Sequence, residues 1–489
     1  MGMDTGEPSV APHAAHAGHE RKRWFALAVL CLGVLMIVLD VTIVNVALPT
    51  IRESLHFSES TLAWVVNAYL LTSGGFLLLG GRLGDLYGHR RLFLLGIALF
   101  TLASLACGFA NSQLVLVAAR AIQGLGGAVV DAVALSLIVD LFTETGDRAK
   151  AMGVYGFVCS GGGSIGALLG GLLTNAFDWH WIFLVNIPIG IAVIALSLSL
   201  LPASRGQGEN RQLDVGGAVT VTTSLMLAIY AIVNGNEAGW TSMQTLGLLA
   251  GAAVLMVVFL IIEGRVRVPL MPLGLFRLRN LATANVVGVL WAAAMFAWFF
   301  LSALYLQLVL GYTPLQVGLA FVPTNLIMAA CSLGISAKLV MRFGIKPPLA
   351  AGLLCAAAGL LLFARAPVDG SFMVDVLPPM LLLGFGAGIA FNPLLMAAMN
   401  DVAPNESGLA SGIVNTSFMM GGALGLAILA SVAGARTGHL AASGAEHAAA
   451  LTGGYHLAFL GGALFALLAT LAGIVLMHPR EQQAVTEPG

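Results

Sequence analysis

Fourteen apolar runs dominate the sequence, and most are long enough to cross a lipid bilayer as a helix, which takes about 20 predominantly apolar residues. Because backbone polar groups in lipid must be paired within the spanning segment, these runs predict helices. The sequence therefore predicts an all-α membrane protein with fourteen transmembrane helices. The runs lie near residues 24–48, 61–80, 92–110, 114–139, 151–174, 181–201, 214–234, 245–262, 281–310, 316–341, 349–366, 375–399, 409–434 and 455–478.

The composition agrees with this class and argues against several others. Only 9% of the 489 residues are charged, against about 25% in ordinary soluble domains, and the mean hydropathy is +0.94. The net charge of −1 and the lack of a basic block argue against nucleic-acid binding. The five cysteines lie inside apolar runs without metal-ligand spacing. We therefore expect neither a bound metal nor a cofactor.

The distribution of positive charge predicts the orientation. If the first helix starts in the cytoplasm, Arg52, Arg365 and Arg436 face outward and Arg120 lies within a span, while the rest of the 22 Lys and Arg residues face inward. Cytoplasmic loops of membrane proteins carry such an excess of Lys and Arg. The sequence predicts a multi-pass protein of the cell (inner) membrane with both termini cytoplasmic.

An internal repeat divides the chain. The segment 81–90 reappears in degraded form 256 residues later as 337–346. The same offset carries the starts of the runs at 24, 61 and 92 to 280, 317 and 348, close to the runs that start at 281, 316 and 349. We expect residues 1–23 to be a disordered cytoplasmic tail, 24–201 a six-helix half, 202–280 an inserted two-helix linker, 281–478 a second six-helix half and 479–489 a cytoplasmic tail. Parallel halves that enclose a site near the bilayer midplane are typical of transporters.

Charged residues inside the apolar runs are the first candidates for function. A charge at the centre of a membrane helix costs about 2.5–3.5 kcal/mol on insertion scales, so such residues usually face a cavity or a partner. Asp40 in the first run and Arg120 in the fourth lie at similar depth and can pair. Asp131 shares a helix face with Arg120 but lies about 16 Å further along the helix. These three residues are the candidates for proton or substrate coupling.

Each of these candidates has a structural alternative. The pair Asp40–Arg120 either couples proton and substrate movement or is a static ion pair. Asp131 is a second proton site, a counter-ion for a cationic substrate, a hydrogen-bonded packing residue or a solvated residue of an inner vestibule. Intramembrane aromatic and amide side chains either line a substrate pocket, where rings can stack on planar or cationic compounds, or pack between helices. The tentative pocket comprises Asn45, Trp64, Gln123, Trp291, Trp298, Gln307 and Asn415.

Several segments together resemble the major facilitator superfamily, and specifically its fourteen-helix drug:proton antiporter branch. They are residues 39–49 in the first run, the loop 81–91, the stretch 120–124, the glycines at 153, 162, 166, 170 and 171, residues 179–190 and residues 408–425. The chain departs from the pattern of that branch at four places. Ala167 stands where the branch usually has Pro, and His180 where it usually has Arg. Asp131 stands where the branch usually has an apolar residue, and Phe418–Met419 where it usually has Arg-Gln. Ala167 therefore removes the proline on which a helix kink would rest.

The resemblance implies further roles. Gly81, Asp85, Gly88, Arg90 and Arg91 would form a gating loop at the cytoplasmic face. A second group of glycines would form the antiporter helix, where packing alone is the alternative to control of proton leak: Gly153, Gly162, Gly166, Gly170 and Gly171.

The function that follows is proton-coupled multidrug efflux. Such a protein exports amphipathic, often cationic small molecules by alternating access, driven by the proton-motive force, as a monomer in the bilayer. One alternative on the same fold is an exporter dedicated to one endogenous metabolite or antibiotic. A membrane enzyme or non-transporting sensor is less favoured, because the GxSxG-like stretch 162–166 lies inside an apolar helix rather than in a strand-turn-helix.

Overall fold

The computed structural model describes residues 12–142, 144–202, 214–267, 269–399, 402 and 407–477, and all regular secondary structure in this part is helical. Its longer helices are α1 Pro12–Leu55, α2 Trp64–Tyr87, α3 His89–Gly108, α4 Gln113–Leu141, α5 Thr145–Ala176, α6 Asn186–Leu200, α7 Val215–Ala238, α8 Met243–Arg265, α9 Arg279–Leu304, α10 Pro314–Ala330, α11 Lys346–Phe363, α12 Leu377–Met399, α13 Ser407–Ala442 and α14 His447–Leu476.

Twelve helices in this part of the chain are long and apolar enough to cross a membrane. The exceptions among the longer helices are α10 and the described apolar part of α5, Ile165–Ala176, which are shorter. The run predicted at 316–341 is divided because α10 gives way to a π-helical turn at Cys331–Ile335 before the short helix Ser336–Phe343. The structure thus shows an all-helical membrane fold with twelve candidate spans.

One helix boundary differs from the sequence-based expectation. Helix α1 begins at Pro12, inside the segment 1–23 that we expected to be disordered. Proline is favoured in the first helical turn because its missing N–H would be unpaired there anyway, and the Ala-rich stretch that follows favours the helix. The unusually long run at 281–310 is one helix, α9, continued by the π-helical turn Tyr305–Val309.

Close backbone approach at glycine holds α2, α3 and α4 together. A Cβ atom at Gly126 of α4 would lie 2.7 Å from the Phe100 backbone nitrogen and 2.9 Å from the Gly96 carbonyl oxygen of α3. Small residues at helix interfaces in membranes permit this kind of packing. The second half uses the same device, since a Cβ at Gly386 of α12 would meet the Gly352 carbonyl oxygen of α11 at 2.6 Å.

We expect Gly126→Ala to destabilise the protein by about 1–3 kcal/mol, because the added methyl group meets backbone atoms that cannot rotate away. Thermal unfolding of the purified protein in detergent measures this as a lower Tm. Gly247→Ala is the matched control, because a Cβ at Gly247 of α8 meets nothing within 4 Å. An equal Tm for Gly126→Ala and Gly247→Ala would contradict the packing argument.

The helices within residues 24–201, the first half in sequence, meet the helices within residues 281–477, the second half in sequence, along two seams: α2 with α13 and α5 with α10. On the first, a Cβ at Gly74 would lie 2.9 Å from the Met419 Cβ. On the second, a Cβ at Gly318 of α10 would lie 2.5 Å from the Ala167 carbonyl oxygen. In addition, the Gln307 amide donates to the Val46 carbonyl oxygen at 2.7 Å, which ties the turn after α9 to α1.

Helices α7 and α8 pack outside the first seam. The Thr222 hydroxyl of α7 fills the space beside Gly75 of α2. At the other end of α7, the Asn236 amide donates to the Ser431 carbonyl oxygen of α13 at 2.8 Å. Helix α7 therefore contacts one helix from each half.

Candidate coupling site

Asp40 of α1 is the centre of a buried polar cluster. Its carboxylate is fully buried, and Oδ2 accepts a hydrogen bond from the Arg120 guanidinium of α4. Oδ1 accepts from the Gln123 amide at 2.6 Å and from the Asn186 amide of α6 at 3.0 Å. The carboxylate thus accepts hydrogen bonds from one cationic and two amide side chains.

Arg120 is held from three sides. Its Nη1 also donates to Gln123 Oε1 at 2.7 Å, and its Nε donates to the Val65 carbonyl oxygen of α2 at 2.9 Å. The Tyr69 ring lies beneath the guanidinium, with 4.5 Å between the Arg120 Cζ and the ring centroid. A cation over an aromatic face is attracted by the ring quadrupole. The sequence-based inference that Asp40 and Arg120 can pair thus corresponds to a contact in the structure, while a role in coupling stays a prediction.

Helix α3 supplies a further layer of support. The Ser104 hydroxyl accepts from the Gln123 amide at 2.8 Å and donates to the Phe100 carbonyl oxygen at 2.8 Å. Both Ser104 and Gln123 are fully buried. The cluster therefore joins α1, α3, α4 and α6, so a change in the charge of Asp40 is felt by four helices of the first half.

Asp131 lies outside this cluster. It is half-buried, and no hydrogen bond or ion pair to it is present among the described residues. One turn before it, Gly127 faces the buried Tyr69 hydroxyl, which would lie 2.7 Å from a Cβ there. Tyr69 thus extends from the Arg120 guanidinium towards the turn that precedes Asp131.

The tentative pocket residues separate into different environments. Gln123 belongs to the Asp40 cluster, and Gln307 joins the two halves. Trp291 and Trp298 of α9 are buried, and neither indole N–H has a hydrogen-bond partner. The others are half-buried: Asn45, whose amide donates to the Val41 carbonyl oxygen at 3.3 Å, Trp64 and Asn415. That they line one substrate pocket stays a prediction.

An open depression of about 530 Å³ contains none of these residues. It lies where the C-terminal end of α1 meets the α3–α4 connection and the Trp181–Leu184 turn, and Asp178 and His180 contribute its charged groups. Among the described residues, no group of three or more His, Cys, Asp or Glu side chains is placed to hold a metal ion.

The expected gating loop forms a tight reversal between α2 and α3. Gly88 has φ of 96°, a conformation that favours glycine. Arg90 donates to the Leu198 carbonyl oxygen of α6 at 2.6 Å, and Arg91 is exposed. Gly81 lies beside Ala132 of α4. The Asp85 side chain lies outside the described residues, so the expected charge contacts of Asp85 stay a prediction.

The glycines expected on the antiporter helix pack α5 against α1 on both sides of Asp40. A Cβ at Gly162 would lie 2.7 Å from Val38 Cγ1, a Cβ at Gly166 would collide with the Thr42 hydroxyl, and one at Gly170 would lie 2.7 Å from the Ile43 carbonyl oxygen. Gly171 instead faces α10. Gly153 lies in helix α5, and its surroundings are outside the described part of the structure. The geometry is that of close packing, and a role in proton leak stays a prediction.

Two supporting residues gained no role from the sequence: Ser104 and Asn186. Each is a polar residue within or beside an apolar run, which is a signal for helix-helix hydrogen bonding in general. Their partners depend on how four helices are arranged around Asp40, and spacing along one helix does not give that arrangement.

Comparison with known proteins agrees with this architecture. The chain matches the Major Facilitator Superfamily over residues 30–426. It is 39% identical to a puromycin resistance protein of Streptomyces alboniger over 479 residues, covering 96% of this chain and 94% of that protein. It is 37% identical to a cephamycin export protein of Amycolatopsis lactamdurans, with 90% of each chain covered, and 36% identical to a lincomycin resistance protein of Streptomyces lincolnensis, with 96% of each covered.

Solved structures show the same fold at low sequence identity. An auto-inhibited peptide transporter of the POT family superposes with a TM-score of 0.68 at 16% identity, covering 96% of this chain and 99% of the other. The Escherichia coli xylose transporter in a partially occluded inward-open conformation superposes with a TM-score of 0.62 at 14% identity, covering 92% and 97%. The chain belongs to the major facilitator superfamily and is a membrane transporter rather than an enzyme.

Proposed function

We propose that this transporter exports amphipathic, often cationic drugs in exchange for protons, by alternating access between its two halves. The observation that carries the proposal is the fully buried Asp40–Arg120 pair, which joins four helices. The relatives indicate the substrate class, because their names identify them as antibiotic resistance and export proteins. The energy source is the proton-motive force, which supplies about 2.3 kcal/mol for each charge that crosses 100 mV.

The mechanism follows from competition for Asp40. In the arrangement described, Arg120 neutralises the carboxylate and Gln123 and Asn186 saturate Oδ1. A proton on Asp40 removes the charge that holds Arg120, so the guanidinium is released towards Tyr69 and the helices it joins can move. When the proton leaves, the ion pair forms again. Protonation of Asp40 thus changes the contacts among α1, α3, α4 and α6.

Asp131 supplies the second site of the proposal. It has no partner among the described residues and lies on the same helix as Arg120, about three turns away. A proton or a substrate cation neutralises it there, and the two ligands exclude each other. Such exclusion is the requirement for exchange rather than cotransport.

The proposed transporter has fourteen transmembrane helices. Residues 24–201 and 281–478 form the two six-helix halves, 202–280 the inserted pair, and both tails lie in the cytoplasm. Helices α5 and α10 complete the count as spans beside the twelve longer ones. The transporter acts as a monomer in the cell (inner) membrane, without a cofactor.

Substrate-induced proton movement in inverted membrane vesicles tests the exchange. With the lumen acidified, addition of a cationic dye to the wild-type protein should raise the luminal pH, because each dye molecule that enters the lumen is exchanged for a proton that leaves it. An Asp40→Asn variant at equal expression should give no such response. Dye accumulation with unchanged luminal pH in both proteins would contradict proton exchange.

A dedicated exporter is the second candidate, because the printed name of each of these three relatives refers to one antibiotic. A panel of cationic and neutral compounds separates the two possibilities. Transport of chemically unrelated compounds supports multidrug export, whereas transport confined to one compound class supports a dedicated exporter.

A further inference from the structure

Two carboxyl groups lie face to face where the inserted helices α7 and α8 meet. Asp214 precedes α7, and its Oδ1 accepts from the Gly217 N–H at 2.7 Å as a helix cap. Glu263 lies near the C-terminal end of α8. Asp214 is 6% and Glu263 3% exposed, and their other oxygens, Asp214 Oδ2 and Glu263 Oε1, are buried without a hydrogen-bond partner among the described residues.

These two oxygens point at the same space above Gly217. Glu263 Oε1 would lie 2.9 Å from a Cβ at that position, and Asp214 Oδ2 would be closer still. Both oxygens thus lie within 3 Å of the same point beside Gly217. Two ionised carboxylates offer only acceptors and repel in a buried site, whereas one proton between them makes a hydrogen bond.

No cation among the described residues neutralises this pair. Arg265 at the end of α8 and Arg267 beyond it are exposed, and Arg82 of α2 is half-buried. Neither carboxyl forms an ion pair with any of these groups in the described part of the chain. No charged side chain of α7 or α13 is described at this end.

The pair also holds a segment that crosses the seam between the halves. Glu263 Oε2 accepts from the Met271 N–H at 3.0 Å. We call Leu270–Met271 the strap. Leu270 packs with Leu79 of α2, and Met271 packs against a cluster that contains Met420 of α13. The strap therefore packs in two clusters, one that includes Leu79 of α2 and one that includes Met420 of α13.

We propose that Asp214 and Glu263 share one proton and thereby hold the strap across the α2–α13 seam, so that loss of this proton frees the strap. The docked state binds one proton more than the released state. Docking is therefore strongest at low pH and weakens as the pH rises, by up to about tenfold per pH unit. The inference does not depend on drug export, because it concerns a separate part of the molecule.

Hydrogen exchange of the full-length protein in nanodiscs tests the pH dependence. We compare the amides of Leu270 and Met271 in the wild type and in Glu263→Gln between about pH 6 and about pH 9. The glutamine amide donates to Asp214 and keeps an acceptor for Met271, so it mimics the protonated pair at every pH. Protection in the wild type, relative to protection in Glu263→Gln at the same pH, should fall as the pH rises. This comparison at equal pH cancels the intrinsic pH dependence of exchange. Equal protection in both proteins at every pH would overturn the proposal.

Infrared difference spectroscopy tests the shared proton directly. The wild type should show the C=O band of a protonated carboxyl group, and both Asp214→Asn and Glu263→Gln should remove it. Asp178→Asn, which changes an exposed acid in the outer depression, is the control and should leave the band unchanged. A wild-type spectrum without a C=O band that both substitutions remove would overturn the proposal even if a variant is unstable.

Discussion

Arg120→Met should abolish export and destabilise the protein by about 3–5 kcal/mol, the range measured when one partner of a buried ion pair is removed. The loss arises because Asp40 remains fully buried without its cation, while Gln123 loses a donor to its Oε1. Thermal unfolding of the purified protein together with dye efflux from cells measures the two effects.

A double variant separates the charge effect from the loss of packing. In Asp40→Asn with Arg120→Met, no charge is left buried, so stability should recover by at least half of the loss, while export stays absent. The coupling energy between neighbouring sites is what such a double-mutant cycle reports. If the single and double variants were equally unstable, the ion pair would not be the source of the effect.

Asp131→Asn should reduce the export of cations by about ten- to hundredfold and that of neutral compounds far less. A hydrogen bond to a charged group contributes about 1.5–3 kcal/mol, and Asp131 has no described partner whose loss would disturb the fold. Efflux of matched cationic and neutral dyes measures the difference. Asp131→Glu keeps the charge and should restore part of the cation transport.

The outcome for neutral compounds decides the role of Asp131. Equal loss for both dye classes would indicate a proton site that every transport cycle needs. No loss for either class would place Asp131 among solvated residues without a role in transport. Both results would contradict the counter-ion role.

The position of the candidate site followed from the sequence because depth in a membrane helix is set by a fixed rise per residue. Asp40 and Arg120 are at similar depth, and the structure places them in contact. The partners that lie beside them, Ser104 and Asn186, could not be found in this way. Lateral neighbours depend on the packing of helices that are distant in sequence, and small residues such as Gly126 set that packing.

The limits of the apolar pattern appear elsewhere in the fold. Hydropathy treats 316–341 as one segment because it measures polarity and does not detect the π-helical turn at Cys331–Ile335. Hydropathy also placed the start of the first helix at residue 24, because the segment before residue 24 is polar, although the helix begins at Pro12. The face-to-face carboxyls of Asp214 and Glu263 escaped notice because both stand at the edges of apolar runs, where charges are common.

Reconstituted proteoliposomes with an imposed pH gradient and no other energy source test the central claim most directly. The wild-type protein should accumulate a cationic dye against its gradient. A variant with both Asp40→Asn and Asp131→Asn should lose accumulation of the cationic dye but retain exchange of a neutral compound at equilibrium, which shows that it is folded. Undiminished uphill accumulation by this variant would contradict the claim that buried carboxylates couple protons to export.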